Sequence, residues 1–250
     1  MHSQLFVVSA VLFTDLRGAG TSDDLEKTVD YCAVCDSIEK FVEGNTFNLI
    51  ETIAERLAEK LLIEYPALKR VRIEIEKPDA PLPAELETVS VEIERGRHIA
   101  YIGLGSNLGD RRTYLRFAVR ELNKSTGCRV VQVSKLINTA PYGYEEQGDF
   151  LNGCLKLETL LEPLELLDLL MWIESETGRI RDVHWGPRTL DLDILMYDDL
   201  VMSCGRLRIP HAEMHKRDFV LAPLSEIAPW LLHPVLNKTV AEMRDELKDR

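Results

Sequence analysis

Two aspartates separated by one residue are the side chains in this sequence best suited to metal chemistry. Asp191 and Asp193 end the segment Trp185-Gly-Pro-Arg-Thr-Leu-Asp-Leu-Asp, and the pattern over residues 189–197 predicts a β-strand. Residues two apart on a strand point to the same face, so the two carboxylates would project side by side. Adjacent carboxylates repel each other unless cations compensate them, and hard oxygen ligands suit Mg²⁺. The spacing predicts two Mg²⁺ ions, roughly 3.5 to 4 Å apart, that clamp an attacking oxygen and a leaving phosphate; a solvated strand face is the alternative.

Basic residues cluster around these aspartates. Arg179, Arg181 and Arg188 precede them, and Arg217 follows His211 a short distance beyond. Guanidinium groups match phosphate oxygens in bidentate geometry, so this cluster indicates a polyphosphate substrate. The sequence contains no G-x-x-x-x-G-K-[ST] loop. The arginines and the metal ions would therefore replace the usual backbone cradle for phosphates.

The glycine-rich segment Gly103-Leu-Gly-Ser-Asn-Leu-Gly109 supports a rival interpretation. It lies between a predicted strand and a predicted helix, as a dinucleotide-binding fingerprint does. Its spacing differs by one residue, however, and no acidic residue ends a second parallel strand about 20 residues further on. A nicotinamide-dependent oxidoreductase stays open only as a distant alternative. A second alternative is a non-catalytic nucleotide-binding domain, against which the aspartates and arginines argue.

Hydrophobic periodicity divides the chain into two units that meet near Gly96. The first unit, residues 1–97, has the order strand, helix, helix, strand, strand, which predicts a small α+β unit whose last two strands form a half-buried antiparallel pair. The second, residues 98–250, alternates strands and helices, which indicates an α/β or ferredoxin-like layer, and we expect the chain as a whole to be of the α+β class. A turn is predicted at 18–24, and Asn45 or Thr46 is expected to cap the second helix. The predicted strands of the first unit are 5–14, 71–77 and 89–95, with helices at 29–42 and from the cap to Pro66. The second unit has predicted strands at 98–105, 128–137, 150–157 and 189–197, and helices at 111–123 and after Glu162 and Pro163.

Charge and composition exclude several classes of partner. The 250 residues include 30 Lys and Arg against 42 Asp and Glu, a net charge of −12, which would repel a nucleic acid at long range. No apolar run approaches the roughly 20 residues needed to span a bilayer, and no basic-then-apolar leader opens the chain. We therefore expect small-molecule substrates, no nucleic-acid or membrane partner, and a cytoplasmic location.

The five cysteines are an odd number and do not provide a four-ligand zinc set. Cys32 and Cys35 form a C-x-x-C pair, but the pattern places it within a helix rather than at the strand-to-helix turn of a thioredoxin-type site. We expect free thiols without a redox role.

Six segments beyond residue 98, taken together, resemble the 6-hydroxymethyl-7,8-dihydropterin pyrophosphokinase family. They occur in the family's order and spacing. The resemblance implies a ferredoxin-like α/β/α sandwich and the transfer of pyrophosphate from ATP to a hydroxymethyl-dihydropterin in folate biosynthesis. The segments are Ala100-Tyr-Ile-Gly-Leu-Gly-Ser-Asn-Leu-Gly109, Thr139-Ala-Pro-Tyr, Asp149-Phe-Leu-Asn152, Gly178-Arg-Ile-Arg, Trp185 to Asp193, and Pro210-His211.

The same resemblance implies a role for each matching residue. Asp191 and Asp193 would bind two Mg²⁺ ions, with Arg179 and Arg188 as further catalytic residues. Phe150 and Phe219 would sandwich the pterin ring. The implied ATP-binding residues are Glu174, Arg179, Arg181, Arg188, His211 and Arg217. The implied pterin-binding residues are Thr139, Pro141, Tyr142, Phe150, Asn152, Trp185 and Phe219.

The first unit resembles dihydroneopterin aldolase. The matching segments are Asp30-Tyr31, Phe47-Asn-Leu-Ile-Glu51 and Ile75-Glu-Lys-Pro78. The resemblance implies a tunnelling-type fold, with Glu51 accepting hydrogen bonds from pterin nitrogens and Lys77 as the general acid/base of a retro-aldol cleavage. Tyr31, from a neighbouring subunit, would assist proton transfer, so a homo-oligomer is implied.

One departure from the aldolase family is visible in the sequence. The family begins with a further strand, and Gln4 already matches the second strand, so the unit is expected to be N-terminally incomplete. A missing strand would leave a sheet edge unpaired and remove part of the pterin pocket. The unit is therefore predicted either to be a working aldolase or to be an inactive oligomerisation scaffold.

Overall fold

The computed structural model describes residues 4–78, 80, 88–141, 147–178 and 188–249. Its contacts divide the chain into two compact units, Met1–Arg97 and His98–Arg250. This division falls where the hydrophobic pattern changes in the sequence.

The first unit contains a three-stranded antiparallel sheet in the order β1-β2-β3. Its elements are β1 (Val7–Phe13), α1 (Arg17–Ser22), α2 (Tyr31–Gly44), α3 (Ile50–Glu64), β2 (Arg70–Lys77) and β3 (Val89–Gly96). Alternate residues of β2 are buried, beginning with Val71 and Ile73, and α3 packs against β2 and β3. The half-buried antiparallel pair predicted from the alternating sequence is confirmed.

Two details of the first unit differ from the sequence predictions. Neither Asn45 nor Thr46 caps α3, which begins at Ile50 after Leu49 without a side-chain cap. Asn45 instead follows the end of α2, where its Nδ2 donates to the carbonyl of Phe41 at 2.7 Å. Helix α1 forms where a turn was predicted, and the residue that follows it, Asp23, has a left-handed φ of +52° that ends the helix.

The second unit is built on a sheet whose neighbouring strands are all antiparallel, in the order β5-β7-β4-β8, with β6 pairing β7. Its larger elements are β4 (His98–Ser106), α4 (Arg111–Lys124), β5 (Cys128–Val133), β6 (Ile137–Thr139), β7 (Phe150–Thr159), α5 (Pro163–Glu176) and β8 (Asp191–Tyr197). The smaller ones are β9 (Met202–Ser203), β10 (Arg208–Ile209), α6 (Asp218–Ile227), β11 (Leu232–His233), β12 (Lys238–Thr239) and α7 (Val240–Lys248).

The single strand predicted over 128–137 is two strands. The hydroxyl of Ser134 accepts a hydrogen bond from the backbone N–H of Cys154 at 2.9 Å. A side chain thus takes the place of a backbone carbonyl in the ladder, which explains the interruption between β5 and β6.

Helices cover both faces of this sheet. Leu115 of α4 and Leu166 of α5 join one hydrophobic cluster with Ile102 and Ile194. Leu221 of α6 belongs to a separate cluster on the opposite face. The unit therefore has three layers, with β4, β7 and β8 between the two pairs of helices.

A β-bulge interrupts the pairing of β4 with β8. Tyr101 pairs with Met196 and Ile102 pairs with Ile194, which leaves Leu195 without a partner in the register. Leu195 and Met196 consequently enter the same hydrophobic cluster, although consecutive strand residues normally face opposite sides.

Within the described residues, no helix has both the length and the apolar character required to cross a lipid bilayer.

Candidate active site

A cleft lies on the sheet face that carries α6. It is bounded by β4, β7, β8 and the start of α6, and strand alternation directs the lining side chains of β7 and β8 into it. Nine residues selected from the sequence line it together: Thr139, Phe150, Asn152, Arg188, Asp191, Asp193, His211, Arg217 and Phe219.

Two glycines of β4 face the aspartates. Gly103 pairs with Asp193 and Gly105 pairs with Asp191. A Cβ added at Gly105 would lie 3.1 Å from Oδ1 of Asn152, and one at Gly103 would lie 3.3 Å from Leu195. The glycines thus leave room between β7 and β8 for the polar groups that line the cleft.

This geometry removes the dinucleotide-binding interpretation of the glycine-rich segment. The strand that carries Gly103 and Gly105 is antiparallel to both of its neighbours, β7 and β8. A dinucleotide-binding fold requires a parallel sheet at that position.

The two aspartates share one face of β8, as their spacing predicts, and both line the cleft. Nη1 of Arg188 lies 2.5 Å from Oδ2 of Asp191, in an ion pair of which both side chains are mostly buried. The pair places one positive charge directly against the carboxylate of Asp191.

The residues fit a magnesium ion that is shared with a substrate. Among the residues that the structure describes, no group of three or more His, Cys, Asp and Glu side chains could enclose a metal. Mg²⁺ commonly takes only one or two carboxylates and completes its coordination with water and phosphate oxygens. Asp191 and Asp193 provide that number of ligands.

Asn107 joins the two segments that border the cleft. Its Oδ1 accepts from the backbone N–H of Arg188 at 2.7 Å, and its own N–H donates to the Arg188 carbonyl at 3.0 Å. Its Nδ2 donates to Oε1 of Gln147 at 2.9 Å and to the carbonyl of Gly148 at 3.3 Å. The buried side-chain amide of Asn107 therefore fixes both the segment that precedes β7 and the segment that precedes β8.

His211 is held by the bulge in β8. Its backbone N–H donates to the carbonyl of Leu195 at 2.9 Å, and its Nδ1 accepts from the N–H of Glu213 at 3.3 Å. Burial, together with the nearby charge of Arg217, lowers the pKa of His211 below its ordinary value. The imidazole is therefore neutral near pH 7, and because Nδ1 is an acceptor, the proton lies on Nε2.

Aromatic and amide groups form another part of the cleft. Phe150 begins β7 and Phe219 lies in the first turn of α6, and both line the cleft. The guanidinium carbon of Arg217 lies 5.8 Å from the centroid of Phe219. Nδ2 of Asn152, which is buried, donates to Oγ1 of Thr139 at 2.8 Å. The cleft thus combines flat apolar surfaces with groups that can read a polar edge.

Some residues expected at the site are placed elsewhere. Glu174 is buried, and its Oε1 accepts the backbone N–H of Leu192 at 2.8 Å; it is not among the residues that line the cleft. Pro141 is half-buried and follows Ala140, which does line it. Four further expectations lie outside the described residues: Arg179, Arg181, Tyr142 and Trp185.

Of the residues selected in the first unit, Tyr31 and Glu51 are exposed and Lys77 is half-buried. Tyr31, the first residue of α2, is 71% exposed. Glu51 is exposed in the first turn of α3, and Lys77 ends β2, opposite Val89.

Sequence reasoning missed Asn107, Gln147 and the bulged Leu195. Asn107 lies inside the glycine-rich segment, so the motif itself marked it. Nothing in the sequence marked Leu195, because a bulge depends on how the two layers pack.

Known protein families match both units of the chain. Residues 101–229 match the model of the 7,8-dihydro-6-hydroxymethylpterin-pyrophosphokinase family, and residues 1–94 match that of dihydroneopterin aldolase. The pyrophosphokinase of Bacillus subtilis is 52% identical over 130 residues, which are 52% of this chain and 78% of that protein.

A relative spanning both units is a folic acid synthesis protein of Schizosaccharomyces pombe. It is 36% identical over 233 residues, which are 88% of this chain and 32% of that protein, so the chain spans about a third of its length. A solved structure of Plasmodium falciparum HPPK-DHPS with pteroate aligns with a TM-score of 0.51. The alignment covers 62% of this chain and 45% of the Plasmodium chain. At 16% identity, this last likeness concerns the fold alone.

The fold is a mixed α/β one whose larger unit carries paired carboxylates and arginines in one cleft. The chain belongs to the 7,8-dihydro-6-hydroxymethylpterin-pyrophosphokinase family, and its first unit belongs to the dihydroneopterin aldolase family. Both resemblances stated from the sequence are confirmed.

Proposed function

We propose that the second unit transfers pyrophosphate from ATP to 6-hydroxymethyl-7,8-dihydropterin, releasing AMP, in folate biosynthesis. The observation that carries the proposal is the meeting, in one cleft, of two strand-borne carboxylates, two arginines and two phenylalanines. Carboxylates that hold metal ions, together with arginines, suit a triphosphate, and phenylalanines suit a flat heterocycle.

The finer description of the fold is part of this proposal. With the short strand β6 left aside, β4 to β8 follow a β-α-β-β-α-β order with strand order β5-β7-β4-β8 and antiparallel neighbours, which supports a ferredoxin-like sandwich with α6 and α7 as its third layer. In the first unit, the order of β1, the two long helices α2 and α3, β2 and β3, with the short helix α1 after β1, supports a tunnelling-type fold.

The chemistry rests on position and charge. Asp191 and Asp193 would hold two Mg²⁺ ions, which supply charge neutralisation to a triphosphate when bound. Arg188 and Arg217 offer guanidinium groups to the phosphate oxygens. In-line attack by the pterin hydroxymethyl oxygen then needs alignment rather than covalent help from the protein.

Orientation of the two substrates is assigned to neighbouring groups. Neutral His211, with its proton on Nε2, would donate a hydrogen bond to the nucleotide. Phe150 and Phe219 would stack on the pterin, and Asn152 with Thr139 would bind its polar edge. Glu174 would act on the nucleotide side indirectly, because it holds the backbone of Leu192 between the two metal-binding aspartates.

The remaining site assignments are proposals from the family resemblance. Arg179 and Arg181 would bind phosphates, and Pro141, Tyr142 and Trp185 would border the pterin.

For the first unit we propose cleavage of 7,8-dihydroneopterin to the hydroxymethyl-dihydropterin and glycolaldehyde. Lys77 would be the general acid/base, Glu51 would bind the pterin, and Tyr31 would come from a neighbouring subunit. The exposure of Tyr31, Val7 and Val11 supports a homo-oligomer formed through this unit. An inactive oligomerisation scaffold is the alternative.

One pair of assays tests both activities. The full chain is incubated with ATP, Mg²⁺ and hydroxymethyl-dihydropterin, and AMP is measured; no AMP above a no-enzyme control would refute the transferase. The chain is then given dihydroneopterin alone, and glycolaldehyde is measured. If wild type forms glycolaldehyde and a Lys77→Ala variant does not, the result supports aldolase activity. If wild type forms none, the first unit is an inactive oligomerisation scaffold.

A further inference from the structure

The first unit carries two exposed thiols that the proposed reactions do not use. Cys32 and Cys35 are free and exposed. The sequence pattern placed them inside a helix, which is confirmed: α2 (Tyr31–Gly44) contains both, as its second and fifth residues. The pair therefore belongs to the start of the helix, where the backbone is held by its cap.

The solvent-facing position of the pair follows from how α2 packs. Val34 and Ser37 are the buried residues of the helix, and the hydroxyl of Ser37 donates to Oε2 of Glu64 at 2.9 Å. Cys32 and Cys35 are one turn apart on the exposed side, where neither thiol is covered by another part of the unit.

The helical spacing brings the two thiols close to bonding distance without reaching it. Side chains three residues apart on a helix have Cβ atoms about 5–6 Å apart, and a disulfide needs about 3.5–4.5 Å. A bond between Cys32 and Cys35 therefore requires the first turn to tighten by about 1–2 Å. The same turn is fixed by Asp30, whose Oδ1 accepts from the N–H groups of Cys32 at 2.9 Å and Ala33 at 3.3 Å.

We propose that Cys32 and Cys35 form a reversible intramolecular disulfide that reshapes the first turn of α2, with a low-molecular-weight disulfide such as oxidised glutathione as the oxidant. One cysteine thiolate attacks a sulfur of oxidised glutathione and releases one reduced glutathione. The second cysteine then attacks the mixed disulfide at the protein sulfur and releases another. Two protein thiols are oxidised, and one glutathione disulfide is reduced to two thiols.

Reversibility follows from the geometry. A disulfide that forces a helical turn away from its relaxed shape is strained, and exposed, strained disulfides are the ones most readily reduced. Tyr31 is the neighbour of Cys32 in this turn. If the first unit is an aldolase, as proposed above, oxidation displaces its proton-transfer residue; the disulfide itself does not depend on that activity.

Peptide mass tests the bond directly. Trypsin cuts after Lys27 and Lys40, so one peptide carries both cysteines. After treatment of the full chain with oxidised glutathione, then iodoacetamide, we expect this peptide two hydrogen atoms lighter than the reduced form and without alkylation. Dithiothreitol should restore two alkylation sites. Two alkyl groups or two glutathionyl groups on the oxidised wild-type peptide would overturn the proposal.

Matched variants and a conformational readout complete the test. Cys35→Ser should give a mixed disulfide at Cys32 instead, and Cys204→Ser, which removes the other exposed thiol, should leave the pair unchanged. In the wild type, amide hydrogen exchange of the same peptide should be faster in the oxidised chain than in the reduced chain. In Cys35→Ser, treatment with oxidised glutathione should leave this exchange unaltered. Equal exchange in both states of the wild type refutes the reshaped turn. Absence of aldolase activity in the reduced chain would refute only the proposed function of the unit.

Discussion

The guanidinium of Arg188 is 2.5 Å from the carboxylate of Asp191. The arginine therefore holds the position of a cation beside one of the two aspartates assigned to magnesium. On the proposed assignment, a metal ion and its nucleotide would compete with this ion pair, and the arginine released from the carboxylate would then be available to phosphate oxygens. We therefore predict two roles for Arg188, as the ion-pair partner of Asp191 and as a phosphate ligand.

Replacement of Arg188 by alanine should separate these two roles. Without the competing guanidinium, Mn²⁺ should bind in the absence of nucleotide about fivefold more tightly, the equivalent of about 1 kcal/mol for such a pair. Transfer should nevertheless fall, because a phosphate-binding group is lost. Calorimetric titration with Mn²⁺ and an AMP assay measure the two effects. Weaker Mn²⁺ binding in the variant would contradict the competition.

Asp193 offers a cleaner test of the metal assignment because the substitution Asp193→Asn keeps its shape. The loss of one anionic ligand should reduce pyrophosphate transfer at least about 100-fold, since about 3 kcal/mol of charge stabilisation is removed. The melting temperature should stay within a few degrees of wild type. Asp199→Asn is the matched control, because Asp199 is an exposed aspartate just beyond β8. AMP production close to wild type in Asp193→Asn would exclude the assignment.

The shared face of Asp191 and Asp193 was predictable because it depends only on the two-residue period of a strand. Helix α3 was predictable for a similar reason, since its apolar residues recur with helical spacing. Both features depend only on residues close together in the sequence, and both are present in the structure.

The features that escaped prediction depend on neighbours distant in the chain. Leu195 bulges because both it and Met196 pack into the cluster beneath α6, and no local pattern records that contact. The interruption at Ser134 arises from its bond to Cys154, 20 residues away. Asn45 has a good capping side chain, but it is engaged by Phe41 at the end of the preceding helix.

The link that Asn107 makes between the two borders of the cleft should be measurable as stability and as activity. Asn107→Leu leaves the N–H of Arg188 without its side-chain acceptor in a partly buried setting, which costs about 1–3 kcal/mol. Thermal or urea unfolding should show this loss. Transfer should decline as well, because Arg188 and the approach to Phe150 are no longer fixed.

Gln147→Ala is the milder companion of that variant, since it removes one acceptor of the Asn107 amide and leaves the bond from Arg188 intact. It should lose less stability than Asn107→Leu. Equal losses in the two variants would show that the contact with Arg188 contributes nothing.

The ion pair at the start of β4 should make stability depend on pH. Nδ1 of His98 lies 2.7 Å from Oδ2 of Asp198, and this hydrogen bond, helped by the charges of Asp198 and Glu162 against the opposing effect of burial, raises the pKa of His98 above its ordinary value of 6.5. Because the pKa of His98 is raised in the folded state, the His98–Asp198 ion pair stabilises the fold fully below pH 6.5. This stabilisation is lost as the pH rises through the folded-state pKa of His98.

Asp198→Asn isolates this effect with little strain. Asp198 has a φ of +43°, which asparagine tolerates, and the amide oxygen can still accept the N–H of Ile99 as Oδ1 does at 2.8 Å. Melting temperatures of wild type and variant should be measured from about pH 6 to about pH 8, where histidine titrates. The melting temperature of the wild type should exceed that of the variant by most near pH 6, and this difference in melting temperature should become smaller as the pH rises. A difference that is constant across this range, or that widens, would show that His98 is not charged against Asp198 in the folded protein.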